Sequence, residues 1–119
     1  MSAANPLQQQ MFELSGLLSE TVNNLKITEA NIVALDAERR RQQLTFTEVG
    51  GQGDDAVLYR PVGKAYLIKT KDEILLDLNN TIRRNDAELE ENQRKREILI
   101  KKRDEITANI QELVASVRN

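Results

Sequence analysis

The groups in this 119-residue chain able to move a proton or hold an ion are 19 carboxylates and 17 basic side chains, which leave a net charge of −2. It contains no His and no Cys. Imidazole acid–base catalysis, thiol nucleophiles, disulfides and the common zinc sites are therefore excluded. The densest charge lies in Arg94-Lys95-Arg96-Glu97-Ile98-Leu99-Ile100-Lys101-Lys102-Arg103, a run of the kind used by nuclear-import signals and nucleic-acid patches. Glu88, Glu90, Glu91, Asp104 and Glu105 flank it, so a solvated helix face with balanced charge is the simpler account. Gly50-Gly51-Gln52-Gly53 is glycine-rich, but Asp54 and Asp55 follow it and would repel a phosphate. The other carboxylates alternate with Lys and Arg, as solvated helix faces and inter-helix pairs do. The chain reads as a non-enzyme that needs no metal and no cofactor, and its evenly mixed charge argues against direct nucleic-acid binding.

No apolar run reaches the roughly 18 residues of a membrane span. Met1-Ser2-Ala3-Ala4-Asn5 lacks the basic and apolar regions of a secretion signal. A cytoplasmic protein is expected, with a nuclear pool allowed.

The elements that carry these residues separate on composition. Residues 5 to about 44 hold no glycine except Gly16 and no proline after Pro6, and residues 71 to 119 hold neither. Between them lie Gly50, Gly51, Gly53, Gly63, Pro61 and three of the four aromatic residues, Phe46, Tyr59 and Tyr66. Two long helices flanking a short non-helical insert are expected. A 4,3 spacing runs through Leu7, Met11, Leu14, Leu18, Thr21, Leu25, Thr28, Ile32, Leu35, Arg39 and Gln42. A second runs through Leu75, Leu78, Ile82, Asn85, Leu89, Asn92, Arg96, Leu99, Arg103, Ile106, Ile110, Leu113 and Val117. A heptad kept in phase this long signals a left-handed coiled coil. Thr21, Thr28, Asn85 and Asn92 put polar groups on that seam, where they could specify register.

The boundaries have their own chemistry. Asn5-Pro6 fits an N-cap with proline in the first helical turn, and Thr70-Lys71-Asp72-Glu73 fits a capping box. The expected layout is a single domain over 1–119, with helix one at 5–46, a mobile loop at 47–56, a β-hairpin at 57–69 and helix two at 70–118. The hairpin assignment rests on Val57-Leu58-Tyr59-Arg60-Pro61-Val62 and Lys64-Ala65-Tyr66-Leu67-Ile68-Lys69, which meet around Gly63. A linker this short, spent on a hairpin, cannot also run back along a helix of about 60 Å, so the helices should be antiparallel. The expected register pairs Leu35 with Ile82, Leu18 with Leu99 and Leu7 with Ile110. Leu113, Val114 and Val117 would then overhang, with Met11 and Phe12 nearby.

Only four aromatic residues and a composition 39% apolar against 30% charged are a lean supply for a compact core. An isolated two-stranded hairpin is marginal in water, so its partners must be strands of other chains. Phe12, Leu17, Ile98, Ile100 and Val114 lie off the seam, where a two-stranded coil leaves side chains in water.

The order of long helix, hairpin and second helix opening at Thr70-Lys71-Asp72-Glu73 resembles a beta-class prefoldin subunit. Tyr59, Val62, Gly63, Leu67 and Ile68 match the hairpin pattern of that family, and a single hairpin is its beta-class mark. The entry Leu44-Thr45-Phe46-Thr47-Glu48 resembles the eukaryotic members. The resemblance implies a mainly α fold: a long antiparallel two-helix coiled coil joined by one β-hairpin, which assembles into an inter-subunit β-barrel. It implies an ATP-independent co-chaperone of two alpha-class and four beta-class subunits, whose coil tips hold unfolded actin and tubulin for the cytosolic chaperonin. Tyr59, Val62, Gly63, Tyr66, Leu67 and Ile68 are then the expected assembly residues. Leu7, Met11, Phe12, Leu113, Val114 and Val117 are the expected client-binding tip. A structural coiled-coil tether or scaffold would use the same heptads, but would associate through its helices rather than its hairpin.

Overall fold

The computed structural model describes residues 5–63 and 65–118. Helix α1 spans Pro6–Gly50, strand β1 Leu58–Val62, strand β2 Ala65–Lys69 and helix α2 Lys71–Arg118. The architecture is the expected one, two long helices joined by one antiparallel hairpin in a coiled-coil fold. Asn5 caps α1: its side-chain Oδ1 accepts from Leu7 N–H at 2.9 Å and its carbonyl from Gln9 N–H at 3.0 Å. Thr70 caps α2, its hydroxyl accepting from Glu73 N–H at 3.2 Å, while Asp72 and Glu73 place negative charge in the positive first turn.

Helix α1 runs past residue 46 to Gly50, through part of the expected loop. Thr45 and Thr47 hydroxyls each donate to the carbonyl one turn back, on Arg41 and Gln43 at 3.0 Å, so these β-branched residues are accommodated in a helix. The turns that follow are tied down as well. Lys71 Nζ donates to the Gln52 carbonyl at 2.9 Å and lies 3.5 Å from Asp54 Oδ1. In the hairpin Leu58 faces Lys69, Tyr59 faces Ile68, Arg60 faces Leu67, Pro61 faces Tyr66 and Val62 faces Ala65. Gly63, with φ of 61°, takes the left-handed conformation that the turn demands and side chains resist.

The chain divides into two compact units, one formed by residues up to Ile32 together with those from Glu91 onward, the other by Val33–Glu90. In the first, Thr21, Leu25 and Thr28 of α1 and Leu99 and Ile106 of α2 are buried. All five belong to the two heptad series. The Thr21 and Thr28 hydroxyls donate to Leu17 and Asn24 carbonyls of their own helix at 2.7 and 2.9 Å. They therefore offer the opposite helix a methyl group rather than a polar handle, and do not specify register. Arg96 Nε reaches Glu29 Oε1 at 3.4 Å across the pair, and Leu14 lines one surface depression with Leu113. These contacts set Leu18 level with Ile106 and Leu25 level with Leu99. The register is one heptad displaced from the expected pairing of Leu18 with Leu99. A seven-residue slip keeps every apolar position on the seam, which is why the heptads alone could not choose. Leu7 falls level with Val117, so the expected overhang of Leu113, Val114 and Val117 is absent.

In the second unit Leu89 is buried. Arg39 Nη1 lies 3.6 Å from Asp86 Oδ1 across the helix pair, in keeping with the same displaced register and setting Leu35 level with Leu89. Arg39 Nη2 also donates to Asp36 at 2.9 Å. This layer is imperfectly satisfied: Arg39 Nε, Asn85 Nδ2 and Asp86 Oδ1 are buried without a hydrogen-bond partner.

Candidate assembly and client-binding surfaces

The alternating pleat of a two-stranded sheet sends neighbouring side chains to opposite faces, and this hairpin has apolar residues on both. Tyr59 and Ile68, opposed in one pair, are 61% and 65% exposed, while Val62 and Leu67 on the other face are 55% and 49% exposed. Four of the six expected assembly residues are thus large apolar or aromatic groups left in water, and Gly63 makes the turn that joins their strands. The Tyr66 side chain lies outside those described, as does Lys64 of the hairpin motif.

Two features of this surface have no periodic signal in the sequence. Lys69 Nζ and Asp77 Oδ2 form an ion pair at 2.7 Å that ties the end of β2 to α2. Beside the hairpin, Val49 of α1, Leu58 and Tyr59 of β1, and Ile74 and Leu78 of α2 line a groove of about 570 Å³, with Asp77 and Thr81 on its polar side. Ile74 is off the heptad series, and Val49 falls in the stretch expected to be a loop.

At the other end of the helices the expected tip residues divide. Phe12 is 80% exposed and Val117 63%, and Leu7 is exposed too, whereas Met11, Leu113 and Val114 are half-buried. Met11 and Leu113 are seam residues, and in the observed register Leu113 has cover that the expected overhang would have denied it. Val114 lines a shallow depression with Ile110 and Ala115.

The ionisable groups serve structure. Arg96 pairs with Glu29 and Arg103 with Asp104, so the basic run is partly neutralised within the fold. On exposed α1, the Gln42 amide donates to Glu38 at 2.8 Å and the Arg41 guanidinium also bonds to it. These bonds, then the Arg41 charge, hold the Glu38 carboxyl below its ordinary value. Among the described residues no group of three or more Asp or Glu side chains is arranged to hold a metal ion, and no helix is long and apolar enough to cross a membrane.

No family model matches the sequence. The chain is similar to prefoldin subunit 1 of Tetraodon nigroviridis, with 25% identity over 112 residues that span 94% of this chain and 92% of the relative. Its fold is similar to the crystal structure of the prefoldin beta subunit from Thermococcus strain KS-1, with a TM-score of 0.80 and 26% identity over 94% of this chain and 96% of that one. Likeness in sequence and in fold, each over nearly the full length, agrees with the single hairpin and the paired heptads, and together they support a beta-class prefoldin subunit.

Proposed function

We propose that this non-enzymatic chaperone subunit assembles through its hairpin with two alpha-class and three further beta-class subunits, and that the hexamer holds unfolded actin- and tubulin-type chains for transfer to the cytosolic chaperonin. Other prefoldin subunits are its partners by family. The observation that carries the assembly reading is the exposure of Tyr59, Val62, Leu67 and Ile68 on a sheet of only two strands. Such a hairpin gains stability by adding strands and covering those side chains. Phe12, Leu7 and Val117 supply apolar surface at the opposite end of the helices, suited to weak capture by several subunits at once. A cytoplasmic location fits clients of this kind.

The test is to mix the chain with alpha- and beta-class partner subunits and follow assembly by native mass spectrometry, then follow light scattering of unfolded actin without ATP. A hexamer that suppresses scattering is expected. A chain that forms only homodimers and suppresses nothing would be a coiled-coil tether instead.

A further inference from the structure

A slip of seven residues keeps every apolar side chain on the seam, but it changes what the polar ones face. In the observed register Arg39 and Asn85 share one layer of the hairpin-side unit, next to the layer of Leu35 with Leu89. Arg39 sends Nη1 across the helix pair to Asp86 Oδ1 at 3.6 Å, and Asp86 directly follows Asn85 in α2. A seam residue from each helix and one flanking carboxylate thus meet, with Arg39 Nε, Asn85 Nδ2 and Asp86 Oδ1 all enclosed.

A slip of one heptad in either direction breaks this arrangement. If α2 moves so that Leu35 faces Ile82, Arg39 faces Leu78, Asn85 faces Ile32, and Asn79 stands where Asp86 stood. If it moves the other way, Arg39 faces Asn92 but has Gln93 in place of Asp86, and Asn85 faces Phe46. Both slips strip the guanidinium of its carboxylate across the seam. Both also set the Asn85 amide against an apolar side chain, where it finds no hydrogen bond.

We infer that the layer of Arg39, Asn85 and Asp86 sets the register of the helix pair. The layer is costly in stability, as its atoms without hydrogen bonds show, but it discriminates: only one alignment gives Arg39 both Asn85 and Asp86. A leucine layer would pack in the slipped alignment as well as in the observed one. Thr21 and Thr28 lack this power because their hydroxyls are satisfied within α1. The rival determinant is the connection between the helices, where Lys71 Nζ is tied to the Gln52 carbonyl at 2.9 Å.

The test moves the layer. Leu78→Asn, Asn79→Asp, Asn85→Leu and Asp86→Asn together shift the partners of Arg39 by one heptad along α2. Parent and moved-layer chains each receive Leu35→Cys with either Leu89→Cys or Ile82→Cys, and oxidation of each pair is followed under the same conditions. Seam positions a heptad apart are separated by about 10 Å, too far for one register to close both pairs. Closure at 35 and 89 should exceed closure at 35 and 82 at least about tenfold in the parent chain, and fall below it when the layer is moved. A preference unchanged by the move overturns the inference and assigns register to the connection. Arg39→Leu with Asn85→Leu covers the case of a moved layer that does not fold, since it removes buried polar atoms and should unfold at no lower a urea concentration than the parent. It should nevertheless raise closure at 35 and 82, relative to 35 and 89, at least about threefold. An unaltered ratio in this folded variant overturns the inference as well.

Discussion

Lys69 Nζ and Asp77 Oδ2 meet at 2.7 Å, joining the last residue of β2 to the second turn of α2. Lys69 is the more enclosed partner, its side chain 19% exposed against 40% for Asp77. The pair fixes how the hairpin leaves the helix. A double-mutant cycle with Lys69→Met and Asp77→Asn should give a coupling of about 0.5–1 kcal/mol in urea unfolding, and either single change should weaken assembly. A coupling indistinguishable from zero would make the contact incidental.

Leu25 and Leu99 are 6% and 9% exposed and lie level on the seam. Truncating either to Ala should cost about 2–4 kcal/mol by denaturant unfolding followed with circular dichroism. Phe12→Ser, at 80% exposure, should leave the midpoint nearly unchanged while reducing suppression of client aggregation. A large stability loss on Phe12→Ser would place that ring in packing rather than in capture.

The hydroxyls of Thr21 and Thr28 bond only to their own helix, so Thr21→Val and Thr28→Val remove a local bond and keep the shape. Stability should change by less than about 1 kcal/mol in either direction. A loss well above that would show the hydroxyls working across the seam.

The chain has no cysteine, which makes the register directly measurable. A Leu18→Cys, Ile106→Cys double variant should oxidise to an intramolecular disulfide. Leu18→Cys with Leu99→Cys, seven residues away on α2 and about 10 Å along a helix, should not. Efficient closure of the second pair alone would restore the register expected from the heptads.

Glu38 has its carboxyl held below the ordinary 4.5 by Gln42 and Arg41. A depressed native value means that its contribution to stability is present above the unfolded value and fades as the pH falls through the native one. In an NMR titration, Gln42→Ala should move the Glu38 midpoint upward toward 4.5. No movement would assign the depression to Arg41.

The helices, their caps and the hairpin were legible because each has a local signature: a seven-residue repeat, Asn5-Pro6, Thr70 before Glu73, and Gly63 between two β-rich runs. Register was not, since Leu18 meets an apolar seam residue whether it faces Leu99 or Ile106, and contacts across the helices such as Glu29 with Arg96 reveal which it faces. The end of α1 was misplaced because the run from Glu48 through Gly50-Gly51-Gln52-Gly53 is polar and glycine-rich like a loop, and the bond from the Thr47 hydroxyl to the Gln43 carbonyl leaves no mark in composition. Lys69 with Asp77 escaped notice because the partners sit in different elements at a spacing that belongs to neither period. The exposed hairpin residues were named from their types, whereas the groove of Val49, Leu58, Ile74 and Leu78 needed the elements to be placed.

The polar layer of Arg39, Asn85 and Asp86 bears on how the hairpin-side unit responds to force. Arg39 Nε and Asn85 Nδ2, which lack a hydrogen-bond partner, and Asp86 Oδ1, held only by its longer ion pair to Arg39, would gain water when the helices part there, so opening returns solvation that parting Leu35 from Leu89 does not. Parting the helix pair at that layer therefore costs less than parting it at Leu35 and Leu89.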